Sequence, residues 1–228
     1  FTAYGPGRFK EVGKFCKDFN IQNPLIVIDS GSTKLPFISE LQNLLSDTKI
    51  KSNIYSNISP NPRDDEIDGG CKAFKDGNHD SIIAIGGGSA MDGGKAICLT
   101  VNSGIPLWDF EFLDKVPRDL KGKNPFPKLI TIPTTAGTGA ETEITAMVTD
   151  TKKGMKFCIW HPEARPCLAL VDPELTLKLP ANLTAWTGID AMIHAIEGYS
   201  VPMFHPLCDG SALELSLIHI SEPTRPSR

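Results

Sequence analysis

The run Ile82-Ile83-Ala84-Ile85-Gly86-Gly87-Gly88-Ser89-Ala90-Met91-Asp92-Gly93-Gly94-Lys95-Ala96-Ile97 constrains the fold of this chain more than any other stretch. Four apolar residues run into three glycines. A serine and a helical pattern follow, with Asp92 and Lys95 one turn apart. This predicts a buried strand, a tight turn and a helix. With no Cβ atoms in the turn, the first N–H groups of the helix point into open space, where a phosphate can sit. A glycine-rich loop without a ligand has the same composition, because short glycine motifs recur by chance.

The same alternation extends along the chain. Phe1–Gly7 reads as a strand and its turn, and Arg8–Phe19 as an amphipathic helix. Leu25–Ile28 is a short apolar strand closed by Asp29-Ser30-Gly31-Ser32. Phe37–Leu45 is helical, Lys51–Ile58 alternates like a strand, Pro60-Asn61-Pro62 is a turn, and Asp64–Lys75 is a third helix. Asn102–Asn124 is a polar connection holding Trp108, Phe110 and Phe112. Glu143–Asp150, Met155–Ile159 and Cys167–Val171 read as further strands, hairpin-like around Lys152-Lys153-Gly154. From Ala181 the pattern is helical, which marks the start of an α-rich domain. Apolar strands alternating with helices mean a parallel sheet covered on both faces.

Ligands of such sheets bind at the carboxyl ends of the strands. Two of those ends carry suggestive chemistry, Asp29 and Gly86–Ser89. A carboxylate at position 29 suits the two hydroxyls of an adenosine ribose, and it equally suits a helix cap or a turn. The G-x-G-x-x-G pattern is absent and the glycines do not follow the first strand, so this is not a standard dinucleotide unit. A third strand end runs from Lys128–Pro133 into Thr134-Thr135-Ala136-Gly137-Thr138-Gly139-Ala140-Glu141. Its hydroxyls can hold a ligand or satisfy one another.

Composition excludes several classes. With 228 residues and 40% hydrophobic content the chain can build a real core, and its net charge of −4 is mixed along its length. No basic stripe points to nucleic acid, no polybasic end to a membrane surface, and no apolar run is long enough to span a bilayer. The six cysteines form no C-x-x-C pair. Scattered cysteines and the lack of a signal peptide lead us to expect a cytoplasmic protein.

Asp190 and His194 lie four residues apart in Gly188–Glu197, which puts them on one helix face with Cβ atoms roughly 5–6 Å apart. Such a pair can ligate Fe(II), Zn(II) or Mn(II). It is also what a surface acid and a surface histidine look like.

Taken together, GGGSAMDGGK (86–95), TIPTTAGTGAE (131–141) and GIDAMIHAIEGY (188–199) resemble the iron-containing (group III) alcohol dehydrogenases. The Pro60-Asn61-Pro62 turn and Val171-Asp172-Pro173-Glu174-Leu175 are similar to family segments as well. The resemblance covers Phe1 to about Leu213. It implies an α/β fold: a dehydroquinate synthase-like nucleotide-binding domain with a parallel sheet over 1–178, then the beginning of an all-helical metal-binding domain over 179–215, with a cleft between them. It implies that Gly87, Gly88 and Ser89 hold the pyrophosphate of NAD, with Asp92 among the coenzyme residues. Asp29 would hold the adenosine ribose and, by charge, disfavour NADP. Thr134, Thr135 and Thr138 would line the coenzyme cleft, with Lys156 reaching toward the nicotinamide. Asp190 and His194 would be two ligands of a metal, iron or else zinc. The implied reaction passes hydride between a small alcohol or aldehyde and the nicotinamide, with the metal as Lewis acid.

The family supplies two further histidines, whereas only His205 and His219 follow His194 here, and neither sits in the family motif. The first methionine is Met91. Residues 216–228 (SLIHISEPTRPSR) resemble translated sequencing adapter, and Pro223 and Pro226 forbid a continuing helix there. The expectation is therefore an internal fragment, inactive alone, of an enzyme that is a homo-oligomer at full length. The alternatives are a glycerol dehydrogenase- or dehydroquinate synthase-like enzyme and a catalytically silent nucleotide-binding protein.

Overall fold

The computed structural model describes residues 1–112, 120 and 125–221. The rest of the Asn102–Asn124 connection and the last part of the adapter-like tail lie outside the described residues. The chain forms two compact units, one comprising Phe1–Thr134 and Ala140–Leu177, the other Thr135–Gly139 and Lys178–Arg228.

The first unit is built on a six-stranded sheet. Its strands are β1 (Thr2–Tyr4), β2 (Pro24–Asp29), β3 (Asn53–Ile58), β4 (Ser81–Gly86), β5 (Lys128–Pro133) and β8 (Leu168–Val171), in the spatial order β1-β8-β5-β4-β2-β3. All neighbouring pairs are parallel. Helices α1 (Val12–Asp18), α2 (Pro36–Asp47), α3 (Asp64–Asp76) and α4 (Gly88–Thr100) are the crossovers. Strands β6 (Thr145–Asp150) and β7 (Met155–Trp160) form a separate antiparallel hairpin. The three expected strands after Glu143 thus part company: two make the hairpin, and β8 returns to the main sheet between β1 and β5.

The period of two along each strand sorts the core into halves. Leu25, Val27, Ile82, Ala84 and Leu129 pack with Ile67 and Phe74 of α3 and with Met91 and Ile97 of α4. Ile26, Ile28, Ile83, Ile85, Ile130 and Ile132 pack with Val12 and Phe15 of α1 and with Ile38, Leu41 and Leu45 of α2. Both faces are apolar, which is why these strands read as unbroken apolar runs.

Helix starts follow local chemistry. Pro36 opens α2 in the first turn, where its missing N–H costs nothing. Asp64, Asp65 and Glu66 crowd the first turn of α3, where the helix dipole favours negative charge. The expected helix over Arg8–Phe19 begins instead as a 3-10 turn, Arg8–Glu11, before α1.

The second unit contains α5 (Ala181–Ser200) and α6 (Pro206–Ser221). Helix α6 ends two residues before Pro223. No helix among the described residues is long and apolar enough to cross a membrane.

Candidate functional site

The sheet register builds the site. Val27 of β2 pairs with Ala84 of β4, so the carboxyl end of β2 at Asp29 comes level with Gly86. Gly86 in turn pairs with Pro133 of β5. Three strand ends, each followed by one of the chemically marked turns, therefore meet along one rim of the sheet.

Gly86 is the residue that makes the turn. Its φ is +146°, a backbone conformation closed to residues with side chains. A Cβ there would also lie 2.8 Å from Ala90 Cβ and 3.2 Å from Asp29 Oδ2. Gly87 is extended (φ −80°, ψ −172°) and N-caps α4 without a side chain. The N–H groups of Ala90 and Met91 donate to Gly87 O at 3.1 and 3.2 Å. Those of Gly88 and Ser89 head the helix with no intrahelical acceptor. An uncapped helix start of this kind, with the dipole behind it, can bind an anion. The sequence reading marks Gly86–Ser89 as a strand end and, by resemblance, expects the coenzyme on Gly87, Gly88 and Ser89; the need for glycine at 86 itself comes from dihedral angle and neighbours, not from motif position.

Asp29 takes the turn role that the sequence left open to it. Its Oδ1 accepts from Gly31 N at 3.0 Å and its Oδ2 from Ser32 Oγ at 2.6 Å, so it closes a turn. It also stands against Gly86, beside the helix start. Ser89 Oγ accepts from Asn61 N at 3.4 Å, which ties the Pro60–Asn61–Pro62 turn to the head of α4. That turn is itself held by Glu66, whose Oε2 accepts from Ser59 N, Ser59 Oγ and Arg63 N, each at 3.1 Å. Thr134 is buried and its N–H donates to Gly86 O at 2.9 Å. Thr135 and Thr138 belong to the second unit.

One turn into α4 lie Asp92 and Lys95. Lys95 is 1% exposed, and its Nζ donates to Thr145 O at 2.8 Å. Burial pulls its pKa down, opposed by the charges of Asp92, Glu143 and Glu141. Burial pushes the Asp92 carboxyl up to about 6, opposed by Lys95, by a hydrogen bond from the Met147 backbone and by Lys156. Lys156 is exposed on β7, opposite Thr149 of β6.

In the second unit, α5 brings Asp190 Oδ1 and His194 Nε2 to 3.8 Å, with the side chains 41% and 49% exposed. Carboxylate and imidazole together suit a divalent transition ion. Among the described residues no group of three or more His, Cys, Asp or Glu could hold a metal ion.

The family model of the iron-containing alcohol dehydrogenases matches residues 2–173. The chain belongs to that family. Alcohol dehydrogenase 4 of Schizosaccharomyces pombe is 35% identical to it over 214 residues, 94% of this chain and 49% of that protein. The NAD-dependent methanol dehydrogenase of Bacillus methanolicus is 34% identical over 213 residues, 93% of this chain and 54% of that protein. The crystal structure of a 1,3-propanediol oxidoreductase superposes with a TM-score of 0.86 at 30% identity, over 93% of this chain and 54% of that one. The chain spans about half the length of these family members. The parallel sheet expected from the sequence is the fold that they share.

Proposed function

We propose that this chain is the coenzyme-binding part of an NAD-linked, metal-dependent alcohol dehydrogenase acting on a small alcohol or aldehyde. The observation that carries the reading is the uncapped start of α4 at Gly86–Ser89 with the Asp29 carboxylate against Gly86. The N–H groups of Gly88 and Ser89 bind the pyrophosphate. Asp29 accepts from the ribose hydroxyls and repels a 2′-phosphate, which selects NAD over NADP. The hydroxyls of Thr134, Thr135 and Thr138 bond the coenzyme, and Lys156 serves its nicotinamide end. In this reading residues 1–178 are the coenzyme domain and 179–215 begin a helical, metal-binding one.

Asp190 and His194 would hold the metal, iron or zinc, with further ligands in the whole protein. A divalent ion there supplies Lewis acidity toward the alcohol oxygen. The six cysteines are unpaired, which fits a reducing, cytoplasmic setting. The whole enzyme is proposed to be a homo-oligomer.

The test is titration of the chain with NADH and NADPH, followed by nicotinamide fluorescence. Saturable NADH binding, weaker with NADPH and lost in Gly86→Val, is the expected result. Equal binding of both, or none of either by a folded chain, would overturn the reading.

A further inference from the structure

The turn Ser59–Arg63 joins β3 to α3 and carries prolines at 60 and 62. Proline has no N–H, so only Ser59, Asn61 and Arg63 can donate from this stretch of backbone. All three donate to side chains beyond the turn. The N–H groups of Ser59 and Arg63 both go to Glu66 Oε2 at 3.1 Å, and that of Asn61 goes to Ser89 Oγ at 3.4 Å. The Ser59 hydroxyl lies within bonding distance of Glu66 Oε2 (3.1 Å) and of Asn61 O (3.3 Å). Asn61 is left-handed, with φ +70°, a conformation that a residue with a side chain adopts at a cost. At the far end of the turn, Pro62 O accepts from Thr149 N of β6 at 2.7 Å.

Glu66 is the third residue of α3, and a capping box there accounts for the bond from Arg63 N alone. The helix gains nothing from the reach back to Ser59, seven residues earlier. Glu66 is itself anchored, because its backbone O accepts from Tyr55 Oη of β3 at 2.6 Å. One carboxylate oxygen thus gathers both ends of a turn whose middle bonds Ser89 at the head of α4.

We infer that Glu66 is a positioning residue of the coenzyme site, which shapes the Ser59–Arg63 turn so that Asn61 holds the Ser89 hydroxyl; the coenzyme part rests on the reading above. Ser89 Oγ spends a lone pair on the Asn61 N–H and keeps its own hydrogen for an acceptor, such as a phosphate oxygen. Glu66 acts through the turn and needs no contact with the coenzyme.

Amide hydrogen exchange at Thr149 in the full 228-residue chain, resolved by NMR, reads the turn without any ligand, because that N–H is bonded to Pro62 O. Glu66→Ala should speed it by about fivefold or more. Glu66→Gln keeps an acceptor oxygen and should change it by less than about twofold. Asp65→Ala removes the same charge from the same helix start without touching Ser59, and should also stay within about twofold. If Glu66→Ala does not fold, Ser59→Ala removes the hydroxyl bond and leaves α3 whole; it should speed Thr149 by about twofold or more. Unchanged Thr149 exchange in the folded variant, or equal acceleration in Asp65→Ala, would overturn the hold of Glu66 on the turn.

NADH affinity then tests the route through Ser89. Glu66→Ala should weaken binding by about tenfold, Glu66→Gln should restore it, and in a Ser89→Ala background the loss should shrink to less than about threefold. A loss that persists in full beside Ser89→Ala overturns the positioning role. A folded parent that binds no NADH overturns the coenzyme reading and the coenzyme part with it, while Thr149 still decides the hold on the turn.

Discussion

A Cβ on Gly86 would come within 3.2 Å of Asp29 Oδ2 and 2.8 Å of Ala90 Cβ. The end of one strand thus lies against the carboxylate ending its neighbour, and only a hydrogen separates them. Gly86→Ala adds a left-handed backbone penalty to both contacts. It should cost on the order of 1–3 kcal/mol in urea unfolding and abolish NADH binding. A variant as stable as the parent that still binds NADH would show that the turn tolerates a side chain.

Coenzyme choice should follow the charge at position 29. Replacing Asp29 by Gly removes the repulsion toward a 2′-phosphate and should narrow the NADH over NADPH preference by about tenfold or more. Because Asp29 also accepts from Ser32 Oγ, the Ser32→Ala variant is the control for loosening of the turn. It should leave the preference unchanged. Direct titration with the two dinucleotides reads both effects.

Asp92 gives stability a definite pH dependence. Its carboxyl titrates near 6 in the fold, against 3.8 ordinarily. Between these values the folded chain keeps a proton that the unfolded chain has released. The contribution of Asp92 is therefore greatest below about pH 4, falls as pH rises to about 6 and is flat above. Unfolding of the parent and Asp92→Asn across pH 4 to 7 should show the difference moving in favour of Asn by on the order of 1–3 kcal/mol within that window.

Helix α4 sits close to the sheet because Gly94 lets it. A Cβ at Gly94 would lie 2.6 Å from Ala84 Cβ. Gly94→Ala should push the helix from β4, cost about 1–3 kcal/mol and weaken NADH binding without touching a coenzyme residue. The double variant with Ala84→Gly should recover much of both losses.

In the second unit, Trp186, Ile189, Ile193 and Ile196 of α5 are each 42–63% exposed. Their spacing makes one apolar stripe, which invites association in solution. Changing Trp186 and Ile193 to Glu should raise the monomer fraction in size-exclusion chromatography. An unchanged elution profile would mean that the stripe does not drive self-association.

The crossover units were legible because β2, β4 and β5 are buried on both faces and so carry unbroken apolar runs. Asp190 and His194 were legible as a pair because helical spacing alone puts them on one face. Strand order was not: nothing in Leu168–Val171 announces that it separates β1 from β5, since its β1 partner lies more than a hundred residues away. The burial of Lys95 was not legible, because it depends on β6, whose Thr145 O accepts from its Nζ. The β6–β7 hairpin was legible around Lys152-Lys153-Gly154, but its docking was not, for a related reason. Its outer edge is completed by side chains and by Pro62 O, so no apolar pattern marks where it docks.

The pairing of β1 with β8 has a consequence for synthesis. Phe9 N donates to Asp172 Oδ2 across 163 residues, and among the described residues β1 has no strand but β8 beside it. A ribosome makes β1 before β8, so its place in the sheet does not exist until Val171 has emerged. Through that interval Phe9, Val12 and Phe15 wait without the strand that will cover them, and contacts of such long range form slowly. The segment Phe9–Phe15 is then a natural handle for a chaperone during translation, and β1 is sealed into the sheet only after β8 is made.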